Sequence, residues 1–166
     1  IVHMATYAPL FAHVDGWQWR PDMIWYDNTR MFKTVSYYVQ QMYAQNKGTN
    51  VLSLTMQGKP VAGQDGQDGL FASSVIDKSS GTVIVKVINT CDQPQDVSLN
   101  LEGIKGDRTA ETLTLTHSAM DDENTLDQPD KIKPVSGTAT CTGGKKGSVI
   151  NDKLPAKTFR LYKIKK

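Results

Sequence analysis

The sequence predicts a mainly β protein: a β-sandwich of jelly-roll type preceded by an N-terminal helix–strand–helix segment. Three observations carry that expectation. From Asn50 onward, apolar residues recur with a period of two in short runs separated by turn-forming residues. Between Val35 and Gln45 the period is that of a helix. Ten of the 13 aromatic residues, including all three Trp, lie before Gly48, so the composition changes there. The expected division is residues 1–48 and residues 49–166.

Residues 1–12 read as the end of a helix. Val2, Ala5, Ala8 and Ala12, with Met4, Tyr7 and Phe11 beside them, recur at helical spacing. Pro9 fits such a helix only near an end or a kink, because it has no backbone donor. Asp15-Gly16 is a turn. Pro21 pushes Arg20 toward extended backbone. Residues 22–27, DMIWYD, have an apolar, β-favouring centre and read as a short strand buried on both faces. A helix follows from about Val35 to Gln45, with Thr34 or Ser36 able to cap its free backbone N–H groups. Val35, Val39, Met42 and Tyr43 form its expected apolar face. Asn46-Lys47-Gly48 ends it, Gly48 being free to take left-handed backbone.

The candidate strands that follow are 50–56, 70–77, 82–89, 96–101, 109–116, 136–142, 147–150 and 158–164. Val83, Val85 and Val87 alternate with Ile84, Lys86 and Ile88, so strand 82–89 is expected to be largely buried and central. Residues 77–81, DKSSG, are a hairpin connection. Short strands at this spacing favour a sandwich or jelly roll. Residues 117–135 are polar, contain two Pro and read as a structured excursion over the surface. The GQDGQDG tract at 63–69 lacks the converging oxygen ligands of a calcium loop and reads as a flexible turn.

Composition excludes several classes of function. A net charge of +2 points to neither nucleic acid nor an anionic membrane as partner. No stretch approaches the roughly 18 apolar residues of a membrane span. The start at Ile1 shows no charged region followed by an apolar run, so no secretory signal is read. The expectation is a C-terminal piece of a longer protein. Cys91 and Cys141 lie in separate strand-like segments, which permits a disulfide, although two inert buried thiols are preferred. Two Cys without clustered His make no zinc site, and neither metal nor cofactor is expected.

His3, His13 and His117 are scattered, and none sits beside a nucleophile in a Gly elbow. Trp17 and Trp19, on a Gly loop, and Trp25, within a strand, suit contact with the apolar face of a sugar ring. The same rings equally suit packing of a helix on a sheet. Cleavage of a glycosidic bond usually needs two carboxyl groups roughly 5 to 10 Å apart. The chain has only Glu102, Glu111 and Glu123, all after Gly48. The aromatic-rich part offers Asp15, Asp22 and Asp27. Asp15 in a Gly turn and Asp22 after Pro21 read as turn or capping residues. Asp27-Asn28, at a strand end, is the most interesting position.

Six segments agree in order and spacing with one known family. They are MATYAPLFA at 4–12, WRPDMIWYDNT at 19–29, SYYVQQMYAQNKG at 36–48, GQDGLFASSV at 66–75, ENTLDQPDKIKP at 123–134 and LPAKTFRLYKI at 154–164. Together they resemble the C-terminal part of α-L-arabinofuranosidases of glycoside hydrolase family 51. The resemblance implies a (β/α)₈ catalytic barrel followed by a jelly-roll sandwich. Residues 1 to about 48 would then be the last helix–strand–helix turn of the barrel, and 49–166 the sandwich. The two catalytic Glu of that retaining family lie upstream of this segment, so no catalytic residue is carried over. The end of a barrel strand faces the active site, which makes Trp17, Trp19, Asp27 and Asn28 the expected substrate-facing positions in the parent. The expected partners are the parent's barrel and, through it, arabinose-containing polysaccharide. Homo-oligomerisation is left open, and a periplasmic or secreted parent is favoured. The expected role is a non-catalytic accessory domain of an enzyme that removes terminal arabinofuranosyl groups from arabinan or arabinoxylan. The alternative is a carbohydrate-binding module, which has little aromatic material to work with: Phe71, Phe159 and Tyr162.

Overall fold

The structure, a computed structural model, describes residue 4, residues 6–60 and residues 69–166. His3 and most of the 63–69 tract lie outside the described residues. The chain divides into two compact units, Ile1–Gln45 with Asp121–Lys133, and Asn46–Met120 with Pro134–Lys166. The first break falls between residues 45 and 46. The middle of the 117–135 excursion groups with the N-terminal segment, although chain order places it within the strand-rich part.

In the first unit, β1 (Phe11–His13) runs parallel to β2 (Ile24–Tyr26), which pairs antiparallel with β3 (Met31–Lys33). The helix expected over 1–12 is overturned in its last residues, since residues 11 and 12 belong to β1. Its spacing rested on Ala side chains, which give a helix little apolar surface to bury, and Pro9 donates no hydrogen bond. Pairing with β2 satisfies the backbone instead. The register sets Ala12, Trp25 and Phe32 side by side on one face, where they form a buried cluster packed by Val14 and Leu126. The alternate positions Phe11, Tyr26 and Met31 are exposed. The expectation that β2 is buried on both faces is therefore corrected: Trp25 is buried and Tyr26 is not.

Helix α1 (Val35–Ala44) begins at a Thr34 cap whose Oγ1 accepts from the Tyr37 N–H at 3.3 Å. The Thr34 hydroxyl also donates to the Asp22 carbonyl at 2.9 Å, and its N–H donates to the Met23 carbonyl at 3.0 Å. The cap thus ties the helix start to the segment entering β2. The buried positions are Tyr38 and Met42, an i,i+4 pair, whereas Val39 is half-buried and Tyr43 exposed. The apolar face is rotated by about one position from the expected one, because burying the Tyr38 ring removes more surface from water than burying Val39.

The second unit is built on strands. After β4 (Asn50–Val51) comes a short ribbon of β5 (Thr55–Met56) and β6 (Lys59–Pro60). Then follow β7 (Leu70–Asp77), β8 (Thr82–Asn89), β9 (Gln95–Glu102), β10 (Arg108–Thr116), β11 (Val135–Gly143), β12 (Gly147–Leu154) and β13 (Thr158–Lys165). They make one eight-stranded antiparallel sheet in the order β4-β7-β8-β13-β10-β11-β12-β9. The sheet is curled into a half-barrel. In a flat sheet β8 and β9 would stand more than ~20 Å apart at the usual strand spacing, yet Val85 of β8 and Leu101 of β9 line one cleft and belong to one apolar cluster. β11 makes the bend: Val135–Cys141 pair with β10, and Thr142–Gly143 with β12. At the far side Gly147 is required, because a Cβ there would run into the Leu101 carbonyl.

The strand expected over 147–150 extends to Leu154 and pairs along its whole length with β9. Its polar residues Asn151, Asp152 and Lys153 had hidden that continuation. The run expected over 50–56 splits into β4 and β5, separated by a stretch in which Leu52 still bonds Ser74. β8 is third in the sheet and buried over most of its length, as its pattern predicts. Gly48 has φ +65°, and a Cβ there would sit 2.7 Å from Val75 Cγ2. Cys91 is half-buried, Cys141 is buried, and the two form no disulfide with each other.

Candidate functional site

The first unit concentrates rings and charges in one place. Trp25 stacks on Phe32, with centroids 6.4 Å apart and planes 7° from parallel. Trp17, in the loop after β1, meets Trp25 edge-on at 5.7 Å. The Arg20 guanidinium lies 4.8 Å from the Trp25 ring centroid and 5.4 Å from that of Trp17. Its Nη1 donates to both carboxylate oxygens of Glu123 at 3.0 Å. Trp17 is 47% exposed and Trp19, in the same loop, 62%.

Asp27 ends β2 and builds the turn into β3. Its Oδ1 accepts from the Thr29 N–H at 2.8 Å, the Thr29 hydroxyl at 3.1 Å and the Arg30 N–H at 2.6 Å. Its Oδ2 accepts from Arg30 Nε at 3.0 Å. The two backbone N–H bonds, followed by the Arg30 and Thr29 side chains, lower its pKa to about 2. Such a carboxylate stays ionised and committed to its turn, so it is a poor proton donor. Asn28 is exposed in that turn. Arg30 also pairs with Asp127 at 2.9 Å.

Of the expected substrate-side residues, Trp17 is brought onto the Trp25 ring, Trp19 stands exposed beside it in sequence, and Asp27 and Asn28 occupy the turn immediately beyond β2. Asp15 is exposed next to the Gly16 turn, its N–H donating to His13 Nδ1 at 3.2 Å. Asp22 is buried, and its Oδ2 has no hydrogen-bond partner among the described residues. Sequence reasoning did not single out Arg20, Glu123, Asn124 or Leu126. Arg20 had a readable signal, a cation between Trp17 and Trp25 in sequence; the other three had none at short range.

The second unit has its own cleft, about 720 Å³, on the concave face of the sheet, with Val85, Ser98, Leu99, Asn100, Leu101 and Glu102 in its wall. No aromatic residue lines it. Elsewhere in that unit, Asp152 Oδ2 accepts from Arg160 at 2.6 Å and from the Tyr162 hydroxyl at 2.7 Å. Burial pushes the Asp152 carboxyl up, but these two bonds outweigh it and leave the carboxyl below its ordinary value. Burial, then the Asp152 contact, pushes the Tyr162 phenol well up. Among the described residues no cluster of three or more His, Cys, Asp or Glu is arranged to hold a metal ion. No described helix is long and apolar enough to cross a membrane.

The family model described as the α-L-arabinofuranosidase C-terminal domain matches residues 1–156. The chain belongs to this family. α-L-Arabinofuranosidase 1 of Arabidopsis thaliana is 29% identical over 140 residues, covering 81% of this chain and 20% of that protein. α-L-Arabinofuranosidase A of Aspergillus niger is 30% identical over 146 residues, covering 87% of this chain and 21% of that protein. Among solved structures, an arabinose-bound α-L-arabinofuranosidase, MgGH51, superposes with a TM-score of 0.76 at 27% identity, over 95% of this chain and 23% of that one. The GH51 arabinofuranosidase of Xanthomonas axonopodis pv. citri does so with a TM-score of 0.65 at 26% identity, over 86% and 28%. This arabinofuranosidase C-terminal chain thus spans about a fifth of the length of the curated relatives it matches.

Proposed function

We propose that the chain is the non-catalytic C-terminal part of a retaining α-L-arabinofuranosidase that releases terminal arabinofuranosyl groups from arabinan or arabinoxylan. Residues 1–48 are its barrel-closing segment and residues 49–166 its jelly-roll-type accessory domain. The observation that supports this best is the state of Asp27. It is the one carboxylate among Trp17, Trp19, Asp27 and Asn28, and both its oxygens are bonded within the turn. The double displacement needs an acid/base and a nucleophile, and in this reading both come from the rest of the parent. Trp17 and Trp19 offer ring faces to the sugar, and Asp27 shapes the turn that presents Asn28.

The carbohydrate-binding module finds no such support. Of the three aromatic residues in the sheet unit, Phe159 and Tyr162 are buried, leaving Phe71 alone exposed. The test is release of aryl alcohol from a chromogenic α-L-arabinofuranoside. The 166-residue chain is expected to give none, and the longer protein carrying it to give turnover. Turnover by the chain itself, surviving purification controls, overturns the non-catalytic reading.

A further inference from the structure

The segment 121–133 interrupts the sheet's strand sequence between β10 and β11, yet its contacts are with the aromatic unit. Asn124 anchors it. This side chain is 0% exposed; its Nδ2 donates to the carbonyls of Lys33 and Ile132 at 2.8 Å each, and its Oδ1 accepts from the Ile132 N–H at 2.7 Å. Leu126 adds an apolar anchor against the Ala12–Trp25–Phe32 cluster. Thr125 and Gln128 close a turn between them through reciprocal backbone bonds at 3.2 Å. From this braced turn two carboxylates reach out. Glu123 holds Arg20, which lies over Trp17 and Trp25, and Asp127 holds Arg30, which completes the Asp27 turn.

The geometry points to residues 121–133 as a strap that positions the Trp17–Trp19 loop and the Asp27–Arg30 turn, with Glu123 and Asp127 as positioning residues acting through Arg20 and Arg30. Part of the strand-rich half of the sequence thereby sets the shape of the loops assigned above to the substrate side. That last step rests on the arabinofuranosidase reading; the strap itself does not. The mechanism is simple. A guanidinium over two indoles is stabilised by their faces but free to slide along them. A carboxylate bonded through both oxygens fixes its position and so the approach of Trp17 to Trp25.

The strap is tested in the 166-residue chain by amide hydrogen exchange and by acrylamide quenching of Trp fluorescence. In Glu123→Gln, exchange over residues 15–21 is expected to rise about threefold, the scale of a partly exposed charged contact, with β8 and β13 unchanged. Quenching is expected to rise with it. Unchanged exchange and quenching overturn the strap. Glu123 is a surface residue, so this variant folds even if Leu126→Ala, at the edge of the aromatic cluster, does not. In the longer enzyme, Glu123→Gln is expected to raise KM for an aryl arabinofuranoside about threefold with kcat unchanged. A loosened loop with unchanged KM overturns the substrate-side role alone. A longer wild-type protein without arabinofuranosidase activity overturns the parent reading and with it that role, while the exchange result still decides the strap.

Discussion

In the sheet unit, β8 pairs with β13 over eight residues and β12 with β9 over eight, and a largely aliphatic cluster packs against the strands. In the aromatic unit each strand has three residues, and the cluster is closed by Leu126 from a segment far along the chain. Backbone ladders hold the first arrangement, and neighbouring strands support each other. Side-chain contacts hold the second: stacked rings, one buried amide and two ion pairs on partly exposed arginines. Surface ion pairs contribute little each, so the aromatic unit relies on its few buried groups. The exposed aromatic rings divide along the same line. The ladder-built unit displays almost no aromatic surface, whereas the side-chain-built unit carries the exposed rings.

The largest expected effect contrasts the two cores. Trp25→Ala is expected to cost about 3–5 kcal/mol, and Ile150→Ala about 2–5 kcal/mol. In urea, Trp25→Ala should shift the transition seen by fluorescence of the remaining Trp and leave the far-UV circular dichroism of the sheet in place. Ile150→Ala should shift the circular dichroism. If both variants shift both signals equally, the units unfold as one and the contrast breaks. A smaller effect sharpens the role of the buried amide. Asn124→Ala leaves the Lys33 and Ile132 backbone groups without that partner and is expected to cost about 1–3 kcal/mol. It should be visible in the fluorescence transition first.

The smallest effect is acid sensitivity. Asp152 and Asp27 both have folded pKa values below their ordinary ones, Asp27 at about 2 against 3.8. A depressed carboxylate stabilises the fold above its unfolded pKa, and that contribution is lost as pH falls toward the folded value. Stability should therefore drop below about pH 4. In Tm against pH, Asp152→Asn should flatten the sheet's acid limb, and Asp27→Asn that of the aromatic unit. An acid limb unaltered in either variant removes that carboxylate from the account.

Strands with an uninterrupted period of two were legible. β7 and β8 start and stop where the pattern does, and β13 nearly so. The Thr34 cap was legible for the same reason, since a cap is a contact between residues three apart. Phe11 and Ala12 misled because a weak helical period of Ala lost to pairing with a strand a dozen residues on. Tyr38 misled because its ring outweighs a Val in burial whatever the aliphatic pattern says. At the candidate site, Trp17, Trp19 and the Asp27 turn stood out by residue type and position. Glu123 did not, because its partner Arg20 lies 103 residues away.

The sequence by itself determined the mainly β class, the change of composition near Gly48, the strand runs and, through its ordered segments, the family. Apart from the family, which segments spread along the chain carry together, these are local patterns, each written within a few residues by pleat, turn or cap. The tertiary structure alone decided that the sheet curls, that Asp27 spends its carboxylate on its own turn, and that residues 121–133 join the aromatic unit. Each of these depends on which distant groups meet, and no period along the chain records a meeting between residues a hundred positions apart.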